Sequence, residues 1–228
     1  MGHHDNIVRI KSVNNILQQT NVNFTFVGGA TVLLYAEREA EDVRPTNDVD
    51  VVVEITTYGA ELDRLTNPLL ELGFKPDISS KVICRYIHQG ITIDIMPTGE
   101  NVYGFKNKWY ESGLQNAINH IIDDQSTVKI FSAPYFIASK LEAFNDRGNN
   151  DGRTSSDFED IVFIMDNRPS LWSEIVNADE SVRNYIITEF RKLYASLYFE
   201  EWISAHTYTS PWVPPQHIFE GIKSILDK

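Results

Sequence analysis

Residues 46–53 have the sequence Thr46-Asn47-Asp48-Val49-Asp50-Val51-Val52-Val53. The run of β-branched apolar residues predicts a strand. Because side chains alternate between the two faces of a strand, Asp48 and Asp50 point to one face and the valines between them to the other. Two neighbouring carboxylates repel each other unless a cation lies between them. This stretch therefore predicts a divalent metal site on a strand.

The composition is that of a folded protein without a strongly basic surface. The 228 residues carry a formal net charge of −12, which disfavours broad non-specific binding to nucleic acid but not a local basic groove. The single cysteine, Cys84, excludes an internal disulfide and fits a reducing compartment. No apolar run approaches the ~20 residues that a membrane helix needs. With no signal peptide at the N-terminus, we expect a cytoplasmic protein that does not associate with membranes.

Hydrophobic periodicity divides the chain into a mixed half and a helical half. Strands are predicted at 24–27, 48–53, 81–88, 91–96, 118–122 and 128–131, and helices at 5–19, 30–38, 58–73 and 107–118. From Ser132 onwards the pattern is mainly helical, apart from a proline-containing linker predicted at 207–215. We predict an α+β core over residues 1–131 and a helical domain over residues 132–228.

The first predicted strand, residues 24–27, runs directly into Gly28 and Gly29, and a helix is predicted to follow. Glycines allow the backbone to approach a ligand closely, and the amides and dipole at a helix N-terminus favour an anion. This turn is therefore a candidate phosphate site.

A third acidic residue, Asp94, lies inside an apolar strand between Ile93 and Ile95. That strand is the return strand of a predicted hairpin whose turn is Gln89-Gly90. A carboxylate is unusual in such an apolar strand, which makes Asp94 a candidate functional residue.

The glycine pair, the Asp-x-Asp and the lone Asp94 occur in an order that resembles the nucleotidyltransferase superfamily of the polymerase-β type. The resemblance covers about residues 20–100. It implies a mixed sheet flanked by helices, with Asp48, Asp50 and Asp94 as catalytic metal ligands.

The helical half extends this resemblance. Residues 138–144, followed by Arg147 and then by residues 157–161, resemble the Lys-x-x-Ala … Arg … Asp-x-x-Asp-Ile signature of the AbiEii/AbiGii-type nucleotidyltransferase toxins. The run from Arg44 to Asp50 is similar to the Arg-x-Ser/Thr-x-Asp-x-Asp of that family. The chain departs from the family after the glycines, where Ala30 precedes Thr31.

The reaction of this superfamily is the attack of an acceptor hydroxyl on the α-phosphorus of a nucleoside triphosphate (NTP), with release of pyrophosphate. Mg²⁺ or Mn²⁺ would stabilise the attacking and leaving oxygens, and carboxylates suit these hard ions. The resemblance implies NTP-binding roles for Gly28, Gly29, Thr31, Arg44, Thr46 and Lys140. It also implies that Asp157 is a further functional acid.

The acceptor and the biological role stay open at this point. The acceptor is a tRNA 3′ end if the toxin resemblance holds, and a cognate antitoxin is then a possible partner. A protein side chain or a small hydroxylated molecule such as an aminoglycoside is the alternative, and the acidic charge favours a small or cationic acceptor. A non-catalytic protein that binds nucleotides for sensing or interaction is a further alternative.

Overall fold

The computed structural model describes residues 2–38, 43–55, 59–99, 102, 107–207 and 215–227. The chain forms two units: the first comprises residues 1–34 and 41–132, and the second comprises residues 35–40 and 133–228. The division differs from the predicted domains in two respects, because the short segment that begins at Tyr35 belongs to the second unit and Ser132 belongs to the first.

The first unit is built on a seven-stranded mixed sheet with the strand order β3-β4-β5-β2-β1-β7-β6. Strand β2 pairs in parallel with β5 and in antiparallel with β1, while β1 pairs in parallel with β7. The elements in chain order are α1 (Gly2–Leu17), β1 (Phe24–Val27), a 3₁₀ helix (Gly29–Tyr35), β2 (Asp48–Val53), α2 (Ala60–Glu71), β3 (Lys75–Pro76), β4 (Arg85–His88), β5 (Ile91–Pro97), α3 (Tyr110–Gln115), β6 (Ala117–Asp123) and β7 (Ser126–Phe131). This architecture confirms the predicted α+β class.

The apolar residues of β2 hold this strand in the middle of the sheet. Val49 is fully buried, as is the run Val51 to Val53, and β-branched side chains pack well on a pleated surface. The turn between β4 and β5 consists of Gln89 and Gly90, which have φ values of 47° and 80°. Two successive residues with positive φ are typical of a two-residue type I′ hairpin, and such a turn fixes the register of its strands.

Most predicted elements differ from the structure by a few residues at their ends, and three of them differ more substantially. The helix predicted at 30–38 is a 3₁₀ helix, Gly29–Tyr35, in which Thr31 donates both its amide and its hydroxyl to the carbonyl of Gly28. This bond from residue i to residue i−3 tightens the turn. The strand predicted at 81–88 begins only at Arg85, and the helix predicted at 107–118 is limited to Tyr110–Gln115.

The second unit is helical and confirms the predicted character of the C-terminal region. It contains α4 (Ala133–Arg147), α5 (Ser156–Asn167), α6 (Leu171–Asn177), α7 (Glu180–Tyr194), α8 (Phe199–Ala205) and α9 (Gln216–Leu226). Helix α5 begins after Ser155, whose hydroxyl accepts a bond from the amide of Phe158 at 3.3 Å, as an N-cap should. The predicted linker at 207–215 lies largely outside the described residues.

The longest helix among the described residues, α1, has 16 residues. None of the helices there is long and apolar enough to cross a membrane.

Candidate functional site

Three neighbouring strands, β2, β5 and β4, bring charged side chains into one row on one face of the sheet. Asp50 on β2 is paired with Val27 on β1 and with Asp94 on β5. Asp94 is in turn paired with Arg85 on β4. Asp48 lies two residues before Asp50, so its side chain points to the same face. The structure therefore brings together the three predicted metal ligands.

Arg85 bridges two of these three carboxylates. Its Nε and Nη2 atoms donate to Oδ1 and Oδ2 of Asp94, each at 2.7 Å, and Nη2 also donates to Oδ2 of Asp48 at 2.8 Å. The hydrogen bonds to Asp94 are the main reason that the pKa of Arg85 is raised, with the charges of Asp48 and Asp50 adding to the effect. Bidentate bonding of this kind is the strongest form of arginine–carboxylate contact.

The two glycines lie against the charged row. Gly28 has φ of +74°, and a Cβ atom added there would lie 1.8 Å from Oδ2 of Asp50. A Cβ atom at Gly29 would lie 2.7 Å from both Nη2 of Arg44 and Cγ2 of Thr46. Residue 28 must therefore be glycine both for its backbone conformation and for the close approach of Asp50.

The two threonine hydroxyls predicted to contact NTP donate within the protein. The hydroxyl of Thr31 donates to the carbonyl of Gly28 at 2.9 Å. The hydroxyl of Thr46 donates to Oδ1 of Asn6 at 3.0 Å, and its carbonyl accepts from Nη1 of Arg9 at 2.8 Å. In this structure both side chains are buried and stabilise the loops around the charged row.

The other two predicted functional residues, Lys140 and Asp157, form an ion-pair network inside the second unit. The Lys140 Nζ atom lies 3.1 Å from Oδ1 of Asp157 and 2.6 Å from Oδ2 of Asp160. The guanidinium of Arg147 donates to both oxygens of Asp157, at 2.7 and 2.9 Å. All of these side chains are buried except that of Arg147.

The pKa of Asp157 shows that the cations of this network outweigh the cost of burying its carboxylate. Its burial opposes ionisation, but the hydrogen bonds from Arg147 and the charge of Lys140 outweigh that effect, and the pKa of Asp157 is lowered. The Lys140 ammonium also lies 5.7 Å from the centre of the Phe136 ring, which is within the range of a cation–π contact. In this structure Lys140 is thus a buried cation shared by two carboxylates.

Comparison with solved structures places this fold among nucleotidyltransferase-like proteins. An antigenic nucleotidyltransferase-like protein from Paracoccidioides brasiliensis superimposes with a TM-score of 0.51 at 19% identity, covering 82% of this chain and 87% of that chain. The antibiotic-resistance factor ANT(2'')-Ia superimposes with a TM-score of 0.52 at 14% identity, covering 86% of this chain and 96% of that chain. The chain has a nucleotidyltransferase fold. No protein-family model and no curated protein sequence matches it.

The carboxylates of the charged row are chemically suited to bind a hard divalent cation. Three carboxylates on one face supply the oxygen ligands that Mg²⁺ and Mn²⁺ prefer. Burial raises the pKa of the neighbouring Cys84 thiol to about 12, so this thiol is protonated and adds no charge at neutral pH. Nowhere in the described part of the chain, however, are three or more His, Cys, Asp or Glu side chains already arranged as a metal site. At this row, Arg85 bridges Asp48 and Asp94 in the conformation of this structure.

Arg85 is the residue of the row that the sequence interpretation missed. The signal was present in the predicted hairpin, because a two-residue turn at Gln89-Gly90 pairs His88 with Ile91. Counting outward from that pair places Arg85 directly opposite Asp94. A cation opposite the lone acid of an apolar strand could therefore have been recognised before the structure.

We expect Gly28→Ala to destabilise the first unit and to displace the carboxylate of Asp50. A positive φ is strained for alanine, and the added Cβ atom would collide with that carboxylate. The expected loss is about 1–3 kcal/mol in the free energy of unfolding, measured by urea denaturation. The Mg²⁺-dependent triphosphate binding that the sequence predicts should weaken as well.

The matched control is Gly59→Ala. Gly59 also has a positive φ, +88°, but nothing lies within 4 Å of a Cβ atom placed there. The Gly59→Ala variant should reproduce the backbone strain and leave the predicted triphosphate binding unchanged. Equal effects of the two variants on binding would contradict the role given to the contact between Gly28 and Asp50.

Proposed function

We propose that the protein is a Mg²⁺-dependent nucleotidyltransferase that moves a nucleoside monophosphate from an NTP to an acceptor hydroxyl. The observation that carries the proposal is the row of three carboxylates, Asp48, Asp50 and Asp94, on adjacent strands of one sheet face. The nucleotidyltransferase fold supports it, although at this level of identity the likeness concerns the fold alone.

In the proposed reaction, a bond forms between the acceptor oxygen and the α-phosphorus. The bond from that phosphorus to its bridging oxygen breaks, and pyrophosphate leaves with the bridging oxygen. Asp48, Asp50 and Asp94 would hold the divalent cation, and Asp94 would help to remove the proton of the acceptor hydroxyl. The bound ion would supply positive charge to the attacking and leaving oxygens.

The phosphate side of the site would be the turn at Gly28 and Gly29. The close approach of Asp50 to Gly28 puts this turn next to the carboxylates, and the backbone amides of the two glycines would donate to phosphate oxygens. The guanidinium of Arg44, which lies against Gly29, would add a positive charge there. Contacts of Thr31, Thr46 and Lys140 with NTP, and a functional role of Asp157, are retained as parts of the proposal to be tested.

For the acceptor, the resemblance to AbiEii/AbiGii-type toxins favours a tRNA 3′ end and a cognate antitoxin as a protein partner. The acidic charge of the chain favours a small or cationic hydroxylated acceptor, or a protein side chain. We place the reaction in the cytoplasm, where NTPs and all three kinds of acceptor occur.

A second candidate function has one observation in its favour. Arg85 forms bidentate bonds with Asp94 and a further bond with Asp48, so the carboxylates have a cation without any metal. A non-catalytic protein that binds nucleotides would be compatible with that arrangement. The two functions differ in whether label from the α-phosphate is transferred.

The test is incubation of the purified chain with each α-³²P-labelled NTP, Mg²⁺ and a cell extract that is then separated into RNA, protein and small molecules. We expect label in one fraction only, which identifies the acceptor. Asp48→Ala should reduce transfer by at least about 10³-fold, because several kcal/mol of charge stabilisation are lost.

The matched control is Asp123→Ala. Asp123 is an exposed acid of the same unit that pairs with Lys11 at the far edge of the sheet. Its replacement should leave transfer unchanged. The enzyme function is refuted if the wild-type protein labels no fraction, or if Asp48→Ala transfers label as fast as the wild type.

A further inference from the structure

The contacts of Arg85 engage the same oxygens that a metal ion would need. Both oxygens of Asp94 and one oxygen of Asp48 accept hydrogen bonds from its guanidinium. A Mg²⁺ ion demands ligand oxygens at about 2.0–2.1 Å, and any ion held by Asp48 and Asp94 would lie beside the guanidinium. Two cations at the same carboxylate oxygens repel each other, so the binding of one weakens the binding of the other.

We propose that Arg85 is an internal cation that competes with the divalent metal for Asp48 and Asp94. The inference rests on the proposed function, since it takes these carboxylates to be the metal ligands. The guanidinium offsets part of the negative charge of the carboxylates while no metal is bound, and it moves away from them when both coordinate the metal. Arg85 thus sets the metal concentration at which the site is loaded.

The position of Arg85 fits this role better than a purely structural one. Its side chain is 24% exposed and that of Asp48 is 33% exposed, so the pair is open to solvent and can separate. The buried network around Lys140 is the contrast, because its lysine and both aspartates are less than 10% exposed. Arg85 also has a second anionic partner once an NTP arrives, since guanidinium binds phosphate as well as carboxylate.

The test compares Mn²⁺ binding to the wild-type protein and to Arg85→Gln, measured by the electron paramagnetic resonance signal of free Mn²⁺. If the guanidinium occupies the carboxylates most of the time, only a small fraction of molecules is competent to bind metal. Removing it should then raise the Mn²⁺ affinity about tenfold or more. The metal-free variant should melt at a lower temperature than the wild type, and Mn²⁺ should restore its melting temperature.

Two further variants make the result specific. Arg153→Gln makes the same change at an exposed arginine of the second unit, which bonds Asp151 and Glu201, and it should not alter Mn²⁺ affinity. Arg85→Lys keeps the charge but loses the bidentate geometry, so its Mn²⁺ affinity should fall between those of the wild type and Arg85→Gln. The lysine variant also serves if the glutamine variant does not fold.

Three outcomes separate this inference from the proposed function. A rise in Mn²⁺ affinity in the order wild type, lysine, glutamine supports the competition. Equal or weaker binding by both Arg85 variants, with wild-type binding that is lost in Asp50→Asn, overturns the role of Arg85 and leaves the metal site standing. Absence of saturable Mn²⁺ binding in the wild type and in Arg85→Gln, with and without ATP, overturns both.

Discussion

Replacing Asp50 by asparagine is expected to abolish Mg²⁺-dependent triphosphate binding while the fold is retained. Asp50 lies at the end of the charged row next to β1, paired with Val27 on one side and with Asp94 on the other. Asparagine has the same shape as aspartate, so it keeps the close contact with Gly28 and removes only the charge. We expect ATP to bind at least about 100-fold more weakly in the presence of Mg²⁺, a loss of about 3 kcal/mol.

The measurement is a calorimetric titration of ATP with and without Mg²⁺. In the wild type, Mg²⁺ should strengthen ATP binding, and in Asp50→Asn this gain should disappear. Asp123→Asn is the matched isosteric control, because Asp123 pairs with Lys11 at the sheet edge. The assignment of Asp50 as a metal ligand is wrong if ATP binds equally well with and without Mg²⁺, and equally well to the wild type and to Asp50→Asn.

The local features of the sheet could be predicted because they depend on short stretches of sequence. The strand Asp48–Val53 and the strand Phe24–Val27 have the predicted boundaries. Strand alternation alone placed Asp48 and Asp50 on one face, and the turn at Gln89-Gly90 alone determined the pairing of β4 with β5.

The order of the strands could not be predicted in the same way. Strand β2 lies next to β5, although α2 and two other strands separate them in sequence. The pairing of Asp50 with Asp94 is such a long-range contact, and no local pattern specifies it. The resemblance to a known superfamily supplied that expectation, since nothing in strand periodicity indicates which strands will be neighbours.

The chemistry of Lys140 shows a different limit of sequence interpretation. A lysine on a helix is equally compatible with binding a phosphate and with pairing to an acid. Its two partners lie on α5, which follows α4 after a loop, and only the packing of α4 against α5 brings Asp157 and Asp160 to the ammonium. The structure thus gives Lys140 a structural role, and its predicted contact with NTP can be tested separately.

Replacing Lys140 by methionine is expected to destabilise the second unit by about 3–5 kcal/mol, the usual cost of leaving a buried ion pair without one partner. Asp157 and Asp160 would then be two buried carboxylates without the ammonium that they share, and Arg147 bonds Asp157 from the exposed side. Methionine keeps the length and apolar stem of the lysine, so the loss reflects charge and not packing. The measurement is urea unfolding at pH 7 followed by circular dichroism at 222 nm, which reports on helix content, and most of the helical residues described lie in this unit.

The pH dependence should identify the cause of that loss. Because the pKa of Asp157 is lowered in the folded protein, its stabilising contribution is present above the ordinary aspartate pKa of about 3.9 and disappears as the pH falls through the lowered value. The difference between the wild type and Lys140→Met should therefore be largest near neutral pH and shrink below about pH 4, where protonated carboxyl groups no longer need a cation. A packing defect would cost the same at both pH values.

The matched control for Lys140→Met is Arg153→Met in the same unit. Arg153 also bonds two acids, Asp151 and Glu201, but it does so at the exposed surface, where solvent screens the charges. It should change stability little at either pH. If Lys140→Met instead unfolds like the wild type and loses only triphosphate binding, Lys140 acts on the nucleotide and its ion pairs are dispensable.

If stability and triphosphate binding both fall, the variant Lys140→Arg separates the two roles. Arginine keeps the buried charge, so stability should recover. A contact with the nucleotide that requires the lysine ammonium would remain lost.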